Sequence, residues 1–154
     1  MDNTLKNDLE TLGKEIVKEL VSQLIQANKV ASGDLIKNLD YKVLEQVDTL
    51  MIQLIDKSKD QHLKYVDQGR KPGRMPPTKP IVKWITDRKI KLLDGEKPEG
   101  IAFAIAKKIA RDGIQKTDVI KKTIGNILNN KKKLIETIGK DQVNIMVQKM
   151  LKSL

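Results

Sequence analysis

Four of the chain's five prolines fall between Pro72 and Pro80, and Gly69 and Gly73 stand among or beside them. Proline fixes φ and carries no donor, and glycine admits positive φ. Residues 63–80 are therefore expected to form a loop of defined shape holding no regular element. Any fold of these 154 residues must be assembled from pieces on either side of that stiff bend. A chain of this length buries roughly 70% of its unfolded surface, enough for one core.

Upstream of the bend, Leu5, Leu9, Leu12, Ile16, Leu20 and Leu24 recur at helical spacing, with Val17, Val21 and Ile25 widening the stripe. This predicts an amphipathic helix whose other face, carrying Lys6, Asp8, Glu10, Lys14, Glu15, Lys18 and Glu19, is solvated. It is expected to end near Ala27 and Asn28, ahead of a Ser32-Gly33-Asp34 turn. From Leu39 the period becomes two. Leu39, Tyr41 and Val43 alternate with Asp40 and Lys42, and Leu50, Ile52 and Leu54 alternate with Met51 and Gln53. The pattern predicts an antiparallel hairpin, reversing within residues 45–49, with one face on the first helix.

Downstream, Thr78 is placed to cap a short helix with Pro80 in its first turn and Ile81, Trp84 and Ile85 on its buried side. Pro98 and Glu99 open a second, with Ile101, Ile105 and Ile109 inward, alanines allowing close packing and Gly113 as its stop. Asp118 is a candidate cap for the last region, where Ile120, Ile124, Ile127, Leu128, Leu134, Ile135 and Ile138 are periodic and Gly125 and Gly139 are expected to break the tail into two or three pieces. The fold class is thus α+β: an N-terminal amphipathic helix packed on a small antiparallel sheet, then short helices and a helical C-terminal extension.

One stretch is distinctive beyond its conformation. Tyr65-Val66-Asp67-Gln68-Gly69-Arg70-Lys71-Pro72-Gly73, then Met75-Pro76-Pro77, then Ile81, Trp84 and Ile85, resembles the neck and tail-completion (head-tail connector) proteins of tailed phages. The likeness extends to Ala102-Phe103-Ala104-Ile105-Ala106-Lys107-Lys108-Ile109-Ala110-Arg111-Asp112-Gly113-Ile114, similar to the family's second helix with its glycine stop, and covers roughly residues 5 to 117. It implies an α+β neck domain over residues 1–117, with residues 118–154 as a basic helical extension beyond the part that can be matched. It further implies a structural virion protein, made in the host cytoplasm, that forms a homo-oligomeric ring of twelve or six copies at the portal-tail junction of a phage of the crAss-like or a related group. Its partners would be its own copies and adjacent portal, adaptor or tail proteins.

Composition narrows the alternatives. No cysteine is present, which excludes disulfides, thiolate metal sites and a cysteine nucleophile. No run approaches the ~20 apolar residues of a membrane span, and no leader pattern follows Met1, so neither membrane nor secretion is expected. The formal charge of +10 is unevenly spread: residues 1–60 carry 8 Lys/Arg against 11 Asp/Glu, residues 61–98 carry 10 against 4, and residues 99–154 carry 12 against 5. Such polarity suits either a basic face turned to polyphosphate or complementary patches through which identical subunits meet. A small basic nucleic-acid-binding protein is accordingly the alternative reading. Four aromatics, Tyr41, Tyr65, Trp84 and Phe103, make a poor stacking platform for single strands.

The candidate sites follow from these patterns. Gly69, Arg70, Lys71, Pro72, Gly73 and Arg74 form a cationic loop for a subunit interface or for non-specific contact with packaged DNA in a ring lumen. Val143, Met146, Val147, Met150, Leu151 and Leu154 form a stripe that either completes the core or docks as a helix on a neighbour. His62 stands alone and reads as a surface or packing residue. Asp67 reads as a local ion-pair partner of Arg70 or Lys71, and Lys131-Lys132-Lys133 as a solvated corner. No arrangement of carboxylate, histidine and hydroxyl suggests an enzyme, and no cofactor or metal is expected.

Overall fold

The computed structural model describes residues 3–29, 33–46, 49–58, 62–139, 142–143 and 146–149. The architecture is α+β, with seven named helices and one two-stranded antiparallel sheet among those residues. Helix α1 (Asn3–Gln26) buries Leu9, Leu12, Ile16, Leu20 and Leu24, the three-and-four spacing that puts one stripe on one side of a helix. It stops where Asn28 takes a φ of 54° and the Lys29 N–H donates back to the Leu24 carbonyl at 3.0 Å. Asparagine tolerates that left-handed setting better than most residues.

A short helix, α2 (Asp34–Asn38), begins directly after Gly33, where a turn is expected, and leads into strand β1 (Leu39–Gln46). Strand β2 (Thr49–Asp56) returns antiparallel with Tyr41 opposite Leu54, Val43 opposite Ile52 and Leu44 opposite Met51. Paired residues share a face of a sheet. Leu39, Leu50, Ile52 and Leu54 are buried with Tyr41 and Val43 packed on the same core. The hairpin thus lies on α1 by the face that alternation predicts. Contact between the two is close: a Cβ on Gly13 of α1 would stand 2.3 Å from Cδ2 of Tyr41, whose hydroxyl donates to Oε2 of Glu10 at 2.8 Å.

Residues 63–80 are not wholly irregular. His62–Gln68 forms helix α3, in which the Asp56 carboxylate caps the start by accepting the N–H groups of Ser58 and Leu63 at 2.8 and 2.9 Å. The bend proper is confined to residues 69–77. Helix α4 (Thr78–Asp87) follows, with Thr78 as its first helical residue and Pro77, not Thr78, at the cap position. Helix α5 (Pro98–Asp112) starts on proline as expected and ends at Gly113, whose φ is 74°.

Helix α6 (Val119–Asn130) runs through Gly125 without a break, and the interruption falls instead at Lys131, before α7 (Lys132–Ile138). Asp118 sits at the cap position of α6 with φ 50° but makes no capping hydrogen bond with its side chain. The segment from 118 onward is no appendage in its packing. Val119, Ile120, Ile124, Ile127, Ile135, Ile138, Val143 and Met146 are buried in the same core as α1 and the hairpin. Asn126 and Lys131 tie the outer sides, donating to Glu19 at 2.7 Å and pairing with Glu15 at 2.9 Å. The chain's two ends therefore build the body together, and the middle leaves it as an arm made of α4 and α5.

Candidate functional site

The joint between body and arm is where the distinctive motif folds. Asp67, at the end of α3, accepts three N–H groups across the molecule: its carbonyl takes those of Thr117 at 3.1 Å and Asp118 at 3.2 Å, and its Oδ1 takes that of Ile120 at 3.0 Å. Asp67 thereby supplies to the start of α6 the cap that Asp118 does not. Thr117 adds a bond from its hydroxyl to the Val66 carbonyl at 2.6 Å. The expected pairing of Asp67 with Arg70 or Lys71 is thus replaced by a cap, because its side chain turns toward the start of α6, where it accepts the Ile120 N–H. Partial burial raises the Asp67 carboxyl above the ordinary aspartate range and the charge of Asp118 adds to this, while the Ile120 N–H and Lys116 act the other way.

Beyond Asp67 the two chains crossing into the arm run side by side. Arg70 and Ile114 exchange N–H···O bonds of 2.8 Å each, and the Gly73 N–H donates to the Ala110 carbonyl at 2.8 Å. Gly69 has φ 68°, and a Cβ there would lie 2.3 Å from the Ile114 carbonyl oxygen. Glycine is required at this position both for its φ and for the approach of the opposite backbone. Of the predicted cationic loop, Arg70 is half-buried and its Nη2 donates to the Arg74 carbonyl at 2.5 Å, which closes the turn, while Lys71, Pro72, Gly73 and Arg74 are exposed. The loop presents cations on a pinned frame.

The arm has a small interior. Ile85, Ala102 and Ala106 are buried, and Ile101, Ile105 and Ile109 are half-covered where full burial is expected. Trp84 corrects a second expectation. It is 39% exposed, and the side chains that α5 buries fully are only alanines, Ala102 and Ala106. Its ring carries the Arg88 guanidinium at 5.5 Å. Arg88 in turn donates from Nη1 to Oδ1 of Asn28 at 3.1 Å and from Nη2 to the Asn28 carbonyl. This fork fastens the arm to the C-terminal end of α1, where carbonyl oxygens are left over and a cation is favoured.

Seven of the eight large hydrophobic side chains exposed among the described residues belong to the joint and arm, including Leu93 at 75% and Phe103 at 53%; Ile25 of α1 is the eighth. Around them residues 69–113 hold 12 Lys/Arg against 5 Asp/Glu. Isolated apolar residues on a surface are ordinary, but here all seven fall within one stretch of chain, from Tyr65 to Ile114. No residue type taken singly would have revealed this. It emerges because the α4 and α5 partners leave Trp84 and Phe103 uncovered.

The second candidate, the C-terminal stripe, divides. Val143 and Met146 are buried and Val147 packs against the core, so these three complete the body; Met150, Leu151 and Leu154 lie outside the described residues. His62 is exposed at the start of α3, where its N–H donates to Ser58 Oγ at 3.3 Å. Lys132 and Lys133 are exposed. The described residues contain no group of three potential metal ligands, and a cavity between α1, β2 and α6 is lined by aliphatic side chains and Met146 alone. No helix among them is long and apolar enough to cross a membrane.

Comparison of the chain with known protein families, with curated proteins and with solved structures finds no match.

Proposed function

We propose that this chain is a structural virion protein of a tailed phage, one subunit of an oligomeric ring at the head-tail junction. The observation that supports the reading is that the most distinctive part of the resemblance, residues 65–114, folds as the pinned joint and the arm, which hold seven of the eight exposed large hydrophobic side chains among the described residues. A ring subunit has to offer its neighbours a rigid surface at a fixed angle. Here the Arg70 to Ile114 pairing, the Asp67 cap and the Arg88 fork hold the arm at such an angle. The work is geometric, since many modest contacts repeated around an axis hold a closed ring without bond-making chemistry.

The deciding experiment is mass spectrometry of purified particles with antibody labelling in the electron microscope. This polypeptide is expected in the particles in multiple copies, with label at the head-tail junction, and a portal or major capsid gene is expected next to its own. Particles free of the polypeptide would refute the proposal. The charge of +10 favours a second reading, a basic nucleic-acid-binding protein. That reading predicts sub-micromolar duplex binding that weakens steeply across a salt series.

A further inference from the structure

We infer that the phosphate backbone of a nucleic-acid duplex binds across the joint and the outer side of α5, held by Lys71 and Arg74 of the bend and by Lys107 and Lys108 of the helix. The surface gives a location to the second reading above and rests on it; under the ring reading the duplex would be packaged DNA.

Two segments far apart in the sequence build this surface. Arg70 and Ile114 exchange backbone hydrogen bonds, the Gly73 N–H donates to the Ala110 carbonyl at 2.8 Å, and a Cβ on Gly113 would stand 3.0 Å from Cδ of Pro72. The bend is thus laid along the last turn of α5, which brings Lys71 and Arg74 to the half of the helix that carries Lys107, Lys108 and Arg111. With the pitch of an α-helix those three cations fall within an arc of about 100°. That arc lies opposite the buried Ala102 and Ala106, and all three are exposed. Gly100 and Ala104 share it nearer the start of α5 and keep it flat.

Charge remains on this surface after the fold's own contacts are made. Residues 69–74 and 100–114 hold six Lys/Arg and one carboxylate, Asp112, which Arg111 binds through Nε and Nη2 at 2.7 and 2.8 Å. Arg70 is occupied by the Arg74 carbonyl. Of the neighbouring carboxylates, Asp67 is turned to Ile120 and Asp118 is paired with Lys116. Lys71, Arg74, Lys107 and Lys108 are in no ion pair among the described residues. Like charges gathered without a counter-charge repel one another, and an external polyanion relieves that repulsion.

The shape of the surface selects among polyanions. A protein partner needs a desolvated apolar anchor at the centre of its contact. Here Phe103 stands at the edge of the arc, while Trp84, Ile90 and Leu93 belong to α4 and the loop after it. A single strand needs several aromatic faces on which to stack, and Phe103 alone adjoins. The exposed side of α5 has no asparagine or glutamine for base edges, and its one arginine is held by Asp112. Phosphate, which positions without specifying, is therefore what the lysines meet.

Fluorescence anisotropy of the whole chain with labelled DNA and RNA duplexes of ~24 base pairs tests this. Four phosphate contacts give sub-micromolar binding at about 50 mM salt that weakens about a hundredfold by about 200 mM, and the tighter duplex names the natural source. Lys71→Gln with Arg74→Gln, and Lys107→Gln with Lys108→Gln, are each expected to weaken binding about tenfold or more and to lower the salt slope by about two. Circular dichroism verifies the fold of each variant. Lys132→Gln with Lys133→Gln, on the exposed side of α7, is expected to change neither. If only one arm pair matters, the composite surface is overturned. Binding that ignores both arm pairs and falls with the α7 pair also overturns it, and leaves the second reading standing. No duplex binding at about 50 mM salt overturns both, and sedimentation of the chain with phosphatidylserine vesicles would then assign the cations to a lipid surface. The ring reading is judged separately, by whether particles contain the polypeptide.

Discussion

The body and the arm are both mainly helical, yet they spend their apolar residues in opposite ways. In the body Leu9, Leu12, Leu20 and Leu24 are almost completely enclosed by the hairpin, α6 and α7. In the arm the enclosed residues are chiefly Ala102, Ala106 and Ile85, and the bulkier Trp84, Phe103 and Leu93 face outward. Large side chains buried deeply hold a fold together, since each contributes roughly 1.5–3 kcal/mol. Small ones buried with large ones exposed give a weaker element with a more adhesive exterior. The body thus holds most of the large enclosed apolar side chains, and the arm most of the large exposed ones.

This contrast can be broken most forcefully from within the body. Leu20→Ala is expected to cost about 2–5 kcal/mol, whereas Phe103→Ala on the arm should stay within about 0.5 kcal/mol; urea unfolding of the two variants gives the comparison. Equal losses would show that the arm's exterior is not free. Next in size comes the joint. Gly69→Ala puts a Cβ into the Ile114 carbonyl at positive φ, for an expected loss of about 2–3 kcal/mol, with chemical-shift changes reaching α5 across the paired backbones.

A smaller effect is expected at the fork. Arg88→Lys keeps the charge but loses the planar pair of donors to Asn28, costing about 1 kcal/mol. Hydrogen exchange should speed up over residues 79–112 and stay unchanged at Leu12 to Leu24, because the arm opens as a unit before the body does. Uniform acceleration would count against separate units. The smallest concerns pH. The folded chain holds the Asp67 proton more tightly than the unfolded chain does, so the contribution of this group is complete below the unfolded value near pH ~4 and vanishes as pH rises through the raised value. Asp67→Asn keeps the acceptor for Ile120 without that proton. Wild type should therefore lose stability relative to the variant as pH climbs through this window, and a constant gap between their urea midpoints would remove the assignment.

The sequence made the body's near half legible and hid how the far half joins it. Helix α1 and the hairpin declare themselves because long one-sided patterns of period 3.6 and 2 leave few alternatives. Helix α3 was hidden since Leu63 and Val66 are too short a pattern beside the prolines that follow. The periodicity of residues 119–138 was plain, but nothing local says that its apolar side meets α1, more than a hundred residues earlier. The arm was half visible: its proline-and-glycine bend and short helices could be read, its exposed tryptophan could not, because burial depends on the size of what lies opposite. Asp67 was singled out for charge and turned out to cap a helix fifty residues away, a pairing that only tertiary structure creates.

Gly13 is the one glycine of helix α1. The Tyr41 ring sits where that residue has no side chain, so the first helix carries a notch into which the strand's aromatic ring is keyed. Sliding the hairpin along the helix by one strand repeat would drive the ring against a side-chain-bearing turn, and rotating the helix would withdraw the notch. A single missing methyl group thus indexes sheet to helix, and with it the outward bearing of Leu44 and Met51.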